Sequence, residues 1–165
     1  MRRAPKVSQL QLRLSREEKA AVRLAARRAG MDMSAYVMSR VLPAPATMFQ
    51  EALAALSASG TPSFALAELN ALLSGLSTPE LRHAVAAAPE AALTPFLANY
   101  VAAMVEVACN RHTLPAPAWT ADVAALEEPA FGSTLPSLRL HLLTHSPGPF
   151  RRRNIFIDSS IGGRV

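Results

Sequence analysis

A chain of 165 residues that is 50% hydrophobic but only 5% aromatic, with 17 Lys and Arg against 12 Asp and Glu, can build a modest Ala/Leu-rich core. It points to a mainly α protein with little β structure beyond short strands. A single cysteine, Cys109, excludes an intrachain disulfide. No apolar run approaches the length of a membrane span or forms a leader after the basic Met1 to Lys6, so a cytoplasmic protein is expected. The charge is lopsided: residues 1–42 carry ten Lys or Arg against three acids, net +7, and the remainder seven against nine, net −2. Such a split fits a basic nucleic-acid-reading head, 1–43, followed by a separate helical body, 44–165.

The head opens with Gln9-Leu10-Gln11-Leu12-Arg13-Leu14. Strict alternation predicts a strand with the leucines on one face and Gln9, Gln11 and Arg13 on the other. Arg matches the two acceptors of guanine and Gln the acceptor and donor of adenine, so the polar face is a candidate base reader in a major groove. It also suits the solvated side of a sheet. Ser15 stands three residues before Glu18, the spacing of a capping box, and the apolar stripe Val22, Ala25, Ala26, Ala29 stops at Gly30. A second helix is expected from an N-cap at Ser34 through Tyr36, Val37 and Val41, closed by Pro43.

These residues together resemble the ribbon-helix-helix family of DNA-binding proteins, the Arc, MetJ and CopG type, and its basic antitoxin members. The pattern lies in the alternating strand, the Ser15-Arg16-Glu17-Glu18 helix start, the Ala29-Gly30 turn and Met33-Ser34-Ala35-Tyr36-Val37. The resemblance implies a homodimer whose two strands form one antiparallel ribbon in the major groove of a double-stranded operator. Gln9, Gln11 and Arg13 would then touch bases, and Ser34 would help hold a phosphate at a helix N-terminus. Arg16, Arg23 and Arg27, on one helical stripe with Lys19, are further phosphate candidates as well as an ordinary solvated face.

The body follows the bend Pro43-Ala44-Pro45. Met48, Ala52, Leu53 and Leu56 predict a helix ending at Gly60, and Phe64, Leu66, Leu69, Leu72 and Leu73 a second ending near Gly75. Ser77-Thr78-Pro79-Glu80 reads as a third helix start. A longer helix is predicted over 91–110 with Phe96, Tyr100, Ala103, Met104 and Val107 as core positions, either beginning or kinking at Pro95. Cys109 and His112 are too few for a metal site, and a buried thiol is the simpler reading. His141 and His145, four apart on a helix, could face the same way but lack a third ligand or a nucleophile. Without a carboxylate pair, a Gly-rich phosphate loop or a nucleophile elbow, no catalytic, metal or cofactor site is expected and the protein is read as no enzyme.

From Leu114 the chain becomes Pro-rich, with a helix start at Leu135 to Arg139, the break Ser146-Pro147-Gly148-Pro149-Phe150 and a run Arg151-Arg152-Arg153-Asn154-Ile155-Phe156-Ile157-Asp158. This tail resembles the C-terminal module of small bacterial regulators encoded beside a nucleotidyltransferase-like toxin. That implies a body that binds a protein partner. From the residues, Asn154 to Asp158 reads as a strand without a second strand in the body to pair with, offering its edge to another chain, or as an extended segment pinned by Phe150 and Phe156. Arg151 to Arg153 read as a solvated run, an acidic-partner contact or a second phosphate contact. Trp119, Phe131, Phe150 and Phe156 with Arg151, Arg152 and Arg153 are the candidate toxin-binding residues, because aromatic and Arg side chains dominate interface hot spots; the same aromatics also suit the body's own core. The expected function is an antitoxin that silences a toxin and represses its own operon, the alternative being a stand-alone repressor whose body oligomerises or senses a ligand. If the strand reads DNA, Arg13→Ala costs about 1–3 kcal/mol on operator DNA and relaxes sequence preference. Arg23→Ala weakens operator and random DNA alike, and titrations of both DNAs at several salt concentrations separate the two effects.

Overall fold

The computed structural model describes residues 11–41 and 43–158. The chain divides into two compact units, Met1–Pro43 and Ala44–Val165, and each is built on its own logic.

In the first unit, α1 (Arg16–Arg28) is capped as the sequence predicts. The Ser15 N–H donates to Glu18 Oε2 at 2.8 Å and the Glu18 N–H to Ser15 Oγ at 3.2 Å. Those bonds from Ser15 hold the Glu18 carboxyl below its ordinary range. Glu17 and Glu18 in the first turn and Arg27 and Arg28 in the last complement the helix dipole. At the other end Gly30 takes φ +66°, the left-handed conformation that favours glycine. This lets the Met31 N–H reach Ala26 O at 2.9 Å and the Gly30 N–H reach Arg27 O at 3.1 Å, the paired bonds of a Schellman ending.

Helix α2 (Met33–Val41) differs from the sequence reading at its start. Its cap is Asp32, whose Oδ1 accepts from the Ala35 N–H at 2.9 Å; Ser34 lies inside the first turn. Asp and Ser cap about equally well, and the tight exit from α1 places the former at the junction. Of the expected strand, Gln9 and Leu10 lie outside the described residues, and Gln11 to Leu14 form no strand. A lone strand has no ladder partner within this unit, and its backbone groups are left to solvent. Only Ala26 is buried among the described residues of this unit, while Leu12 (57%), Leu24 (52%) and Val41 (68%) keep about half or more of their surface exposed.

The described residues of the second unit are mainly helical. It runs α3 (Pro45–Ala58), α4 (Pro62–Gly75), α5 (Thr78–Ala84), α6 (Pro95–Arg111) and α7 (Trp119–Asp122), then β1 (Ala130–Phe131), a 3-10 turn Pro136–Leu138, α8 (Arg139–His145), α9 (Gly148–Arg151) and β2 (Ile155–Phe156). Prolines open α3, α4 and α6 and sit second in α5, where the missing N–H costs nothing. Ser77 and Glu80 close a second capping box, and Thr94 caps α6 so that the helix starts at Pro95.

The core gathers Phe49, Leu53 and Leu56 of α3, Leu69 and Leu73 of α4, Leu81 of α5 and Val101, Val105 and Ala108 of α6. The predicted faces of α3 and α4 hold at Leu53, Leu56, Leu69 and Leu73 and miss by one residue at their starts. Phe49 rather than Met48 points inward on α3, because 49, 53 and 56 form the continuous stripe, and Ala65 rather than Phe64 does so on α4, leaving Phe64 71% exposed. The connection after α5 is tied to α3: Gln50 Nε2 donates to Ala88 O and Gln50 Oε1 accepts from the Glu90 N–H, both at 3.0 Å, while Ser57 Oγ donates to Ala92 O at 2.7 Å.

The tail strand does find a partner, contrary to the sequence reading. β2 pairs in parallel with β1, in register Ala130 with Ile155 and Phe131 with Phe156. The Ala130 N–H donates to Asn154 O and the Gly132 N–H to Phe156 O, both at 2.8 Å. A two-residue strand shows no alternation, which is why β1 is illegible in the sequence. Asn154 precedes β2 at φ +61° and donates from Nδ2 to Leu126 O at 3.0 Å, the kind of local bonding that lets Asn occupy this region.

The inward turn of α3 and α4 predicts opposite outcomes for two phenylalanines. Phe49→Ala costs about 3–5 kcal/mol in a denaturant melt, whereas Phe64→Ala stays within about 0.5 kcal/mol.

Candidate functional site

In the first unit Gln11, Arg13, Arg16, Arg23, Arg27 and Ser34 are all exposed, while Gln9 lies outside the described residues. Arg16, Arg23 and Arg27 follow a seven-and-four spacing along α1, so they share a side of the helix and form a basic stripe. Ser34 presents an exposed hydroxyl in the first turn of α2, but Asp32 sets a carboxylate at that helix N-terminus. The carboxylate offsets part of the positive potential that an incoming phosphate would meet. Arg40, on the last turn of α2, lies over the Tyr36 ring at 5.3 Å.

The candidate partner-binding residues of the second unit part company. Arg151 and Arg152 are exposed, but Arg153 is only 6% exposed and stands at the centre of a polar network. Its Nη2 donates to Glu106 Oε1 at 2.5 Å and to Thr120 O at 2.6 Å; its Nη1 reaches Val123 O at 3.3 Å and Asn99 Oδ1 at 3.4 Å. Glu106 Oε2 also accepts from Arg152 Nη2 at 3.0 Å. Asn99 donates from Nδ2 to Pro95 O and Ala124 O, both at 2.9 Å. One guanidinium therefore joins α6, α7, the loop behind α7 and the entry to β2. Arg153 is corrected from a partner contact to an internal fastener, since its charge is buried against Glu106.

The aromatics divide similarly. Phe150 is buried and meets the Tyr100 ring edge-on at 5.0 Å, and burial pushes the Tyr100 hydroxyl pKa up. Trp119 is half-buried against the core and donates from Nε1 to Val85 O at 2.9 Å. Both pack against the body's own core. Phe131 and Phe156 are half-buried and stack on each other at 5.1 Å across the strand pair, with Arg139 over the Phe131 ring at 5.3 Å.

His141 and His145 do share a side of α8 and stack with ring centroids 4.1 Å apart. Their planes differ by only 16°, so the in-plane lone pairs do not converge on one ion, and His141 Nε2 is 3.1 Å from Asp158 Oδ2. Cys109 is buried, and its thiol pKa is raised by burial and by the neighbouring Glu106 charge; His112 Nδ1 is 3.0 Å from Thr78 Oγ1. Among the described residues no group of three His, Cys, Asp or Glu side chains is placed to hold a metal. No described helix is long and apolar enough to cross a membrane.

The residues that sequence reasoning missed are Asn99 and Glu106. They lie seven apart on the most buried helix, hence on the same side, and two polar residues at that spacing among alanines and valines are the visible trace of a buried network. Compared with known proteins, the chain matches no family model, no curated protein and no solved structure.

Removing one partner of this network leaves an uncompensated buried charge. Glu106→Gln therefore destabilises the protein by about 3–5 kcal/mol in a urea melt. Arg151→Ala, at an exposed position of the same run, changes stability by about 0.5 kcal/mol or less.

Proposed function

We propose that this chain is a ribbon-helix-helix antitoxin: its first unit pairs with a second copy and reads operator DNA, and its second unit binds and silences a protein toxin of the nucleotidyltransferase-like kind. The observation that carries the reading is the coincidence of two boundaries. The net +7 of residues 1–42 changes to net −2 at the point where the chain divides into its two units, after Pro43. A basic two-helix unit beside a mildly acidic body three times its length supports separate DNA and protein partners.

Among its described residues the first unit buries little apolar surface. Leu12, Leu14, Leu24, Met31, Met38 and Val41 are exposed around one buried alanine. A segment of about 40 residues needs oligomerisation or a staple to be stable, and a second copy supplying an antiparallel strand and two more helices would cover such leucines. The runner-up is a stand-alone repressor of the same head type. It is favoured by Phe150 and Arg153, which are buried in the body, and by Trp119, which packs half-buried against its core.

Two measurements test the reading. Sedimentation is expected to show a dimer that Leu12→Glu abolishes, and a well-folded monomer without that substitution excludes the ribbon. Residues 44–165 alone, co-expressed with the product of the adjacent reading frame, are expected to co-purify with it and protect the cells. A folded 44–165 fragment that does neither leaves the stand-alone repressor.

A further inference from the structure

The segment from Leu135 to His145 holds five leucines, of which only Leu142 enters the core. Leu135 is 57% exposed, Leu138 40%, Leu140 73% and Leu143 41%. Leu140 and Leu143, three apart, lie on adjacent turns of one side of α8, and the histidines occupy the other flank. The helix is held at a few points: Leu142 is buried, Ser146 Oγ donates to Leu142 O at 2.6 Å and Ile157 O at 2.7 Å, and His141 meets Asp158. It is a short helix fastened by one side, with its most apolar side in water. Leucines gathered in this way mark an interaction surface more than scattered single exposures do.

Charge decides what fits there. From Ala130 to Ile157 the chain contains no acidic residue, while Arg139 lies on α8 itself and Arg151 ends α9. Asp158, the first acid after this stretch, is met by His141. A second copy docked through the same face would bring Arg139 against its like, which is unfavourable at an interface. We propose that the exposed leucine side of α8, with Arg139 at its edge, is the surface on which the body receives its protein partner, and that the partner presents an apolar helix or ridge flanked by Asp or Glu. This rests on the antitoxin reading and replaces Trp119, Phe150 and Arg153 as the contact by Leu140, Leu143 and Arg139.

The test uses the full chain co-expressed with the tagged product of the adjacent reading frame, comparing the unaltered protein with Leu140→Glu/Leu143→Glu and with Arg139→Glu. The expected result is capture of the unaltered chain and affinity weakened about tenfold or more for both variants, with the urea midpoint of the leucine variant unchanged because its altered side chains are exposed, and Arg139→Glu still folded despite the lost contact with the Phe131 ring. If the double Glu variant unfolds, Leu140→Ser/Leu143→Ser serves in its place. Capture of folded variants as strong as that of the unaltered chain overturns the surface while leaving the antitoxin reading intact. No capture of the unaltered chain removes that reading and the surface with it. Flotation of the unaltered chain, but not the variant, with phosphatidylglycerol vesicles overturns the choice of a protein, and a variant that lowers the oligomer size in sedimentation overturns it in favour of a second copy.

Discussion

The second unit depends on one buried ion pair. Arg153 and Glu106 are 47 positions apart, and neither charge tolerates the interior without the other. Their geometry does more than neutralise: four acceptors around one guanidinium fix where α6, α7 and the last strand stand relative to each other. A hydrophobic substitute of equal volume would fill the space without dictating that arrangement. Arg152, on the Glu106 oxygen that remains, keeps the carboxylate doubly paired while its own side chain stays largely in water.

The two units represent opposite solutions to the problem of a small core. The body collects apolar side chains from its helices until phenylalanine, leucine and valine are wholly buried. The head invests in local signals instead, with a capping box, dipole-matched charges and a Schellman ending on α1, and an Asp cap on α2. Local bonds of this kind determine where helices begin and end, but they supply little of the burial that holds a tertiary structure together. The exposed leucines and methionines of the head are what such an economy leaves outside.

Much of this architecture was legible in the residues, and the misses have physical reasons. Caps are written in short spacings, so Ser15 with Glu18 and Ser77 with Glu80 could be read directly, whereas Pro95 left a start or a kink open until Thr94 was seen to cap α6. Helical faces are written in averages, so a shift of one residue exchanged Met48 for Phe49 and Phe64 for Ala65. Asp32 and Ser34 compete for one cap, and composition does not rank them. The pairing of Ala130–Phe131 with Ile155–Phe156 and the burial of Arg153 depend on chain segments that meet only in three dimensions. A run of three arginines looks like a solvated tract until one of them is found to have a carboxylate waiting inside.

The distance along the chain between Glu106 and Arg153 also sets an order of events as the polypeptide is made. When α6 has left the ribosome, its carboxylate has no counter-charge, and it acquires one only after roughly a quarter of the protein has followed. Until then α6 can bury its apolar sides only by leaving Glu106 in water. A nascent chain interrupted between β1 and α9 would expose a half-closed helical layer, whereas the finished chain locks α6, α7 and β2 with a single side chain. Closure of the core is thus coupled to synthesis of the segment that carries Arg153.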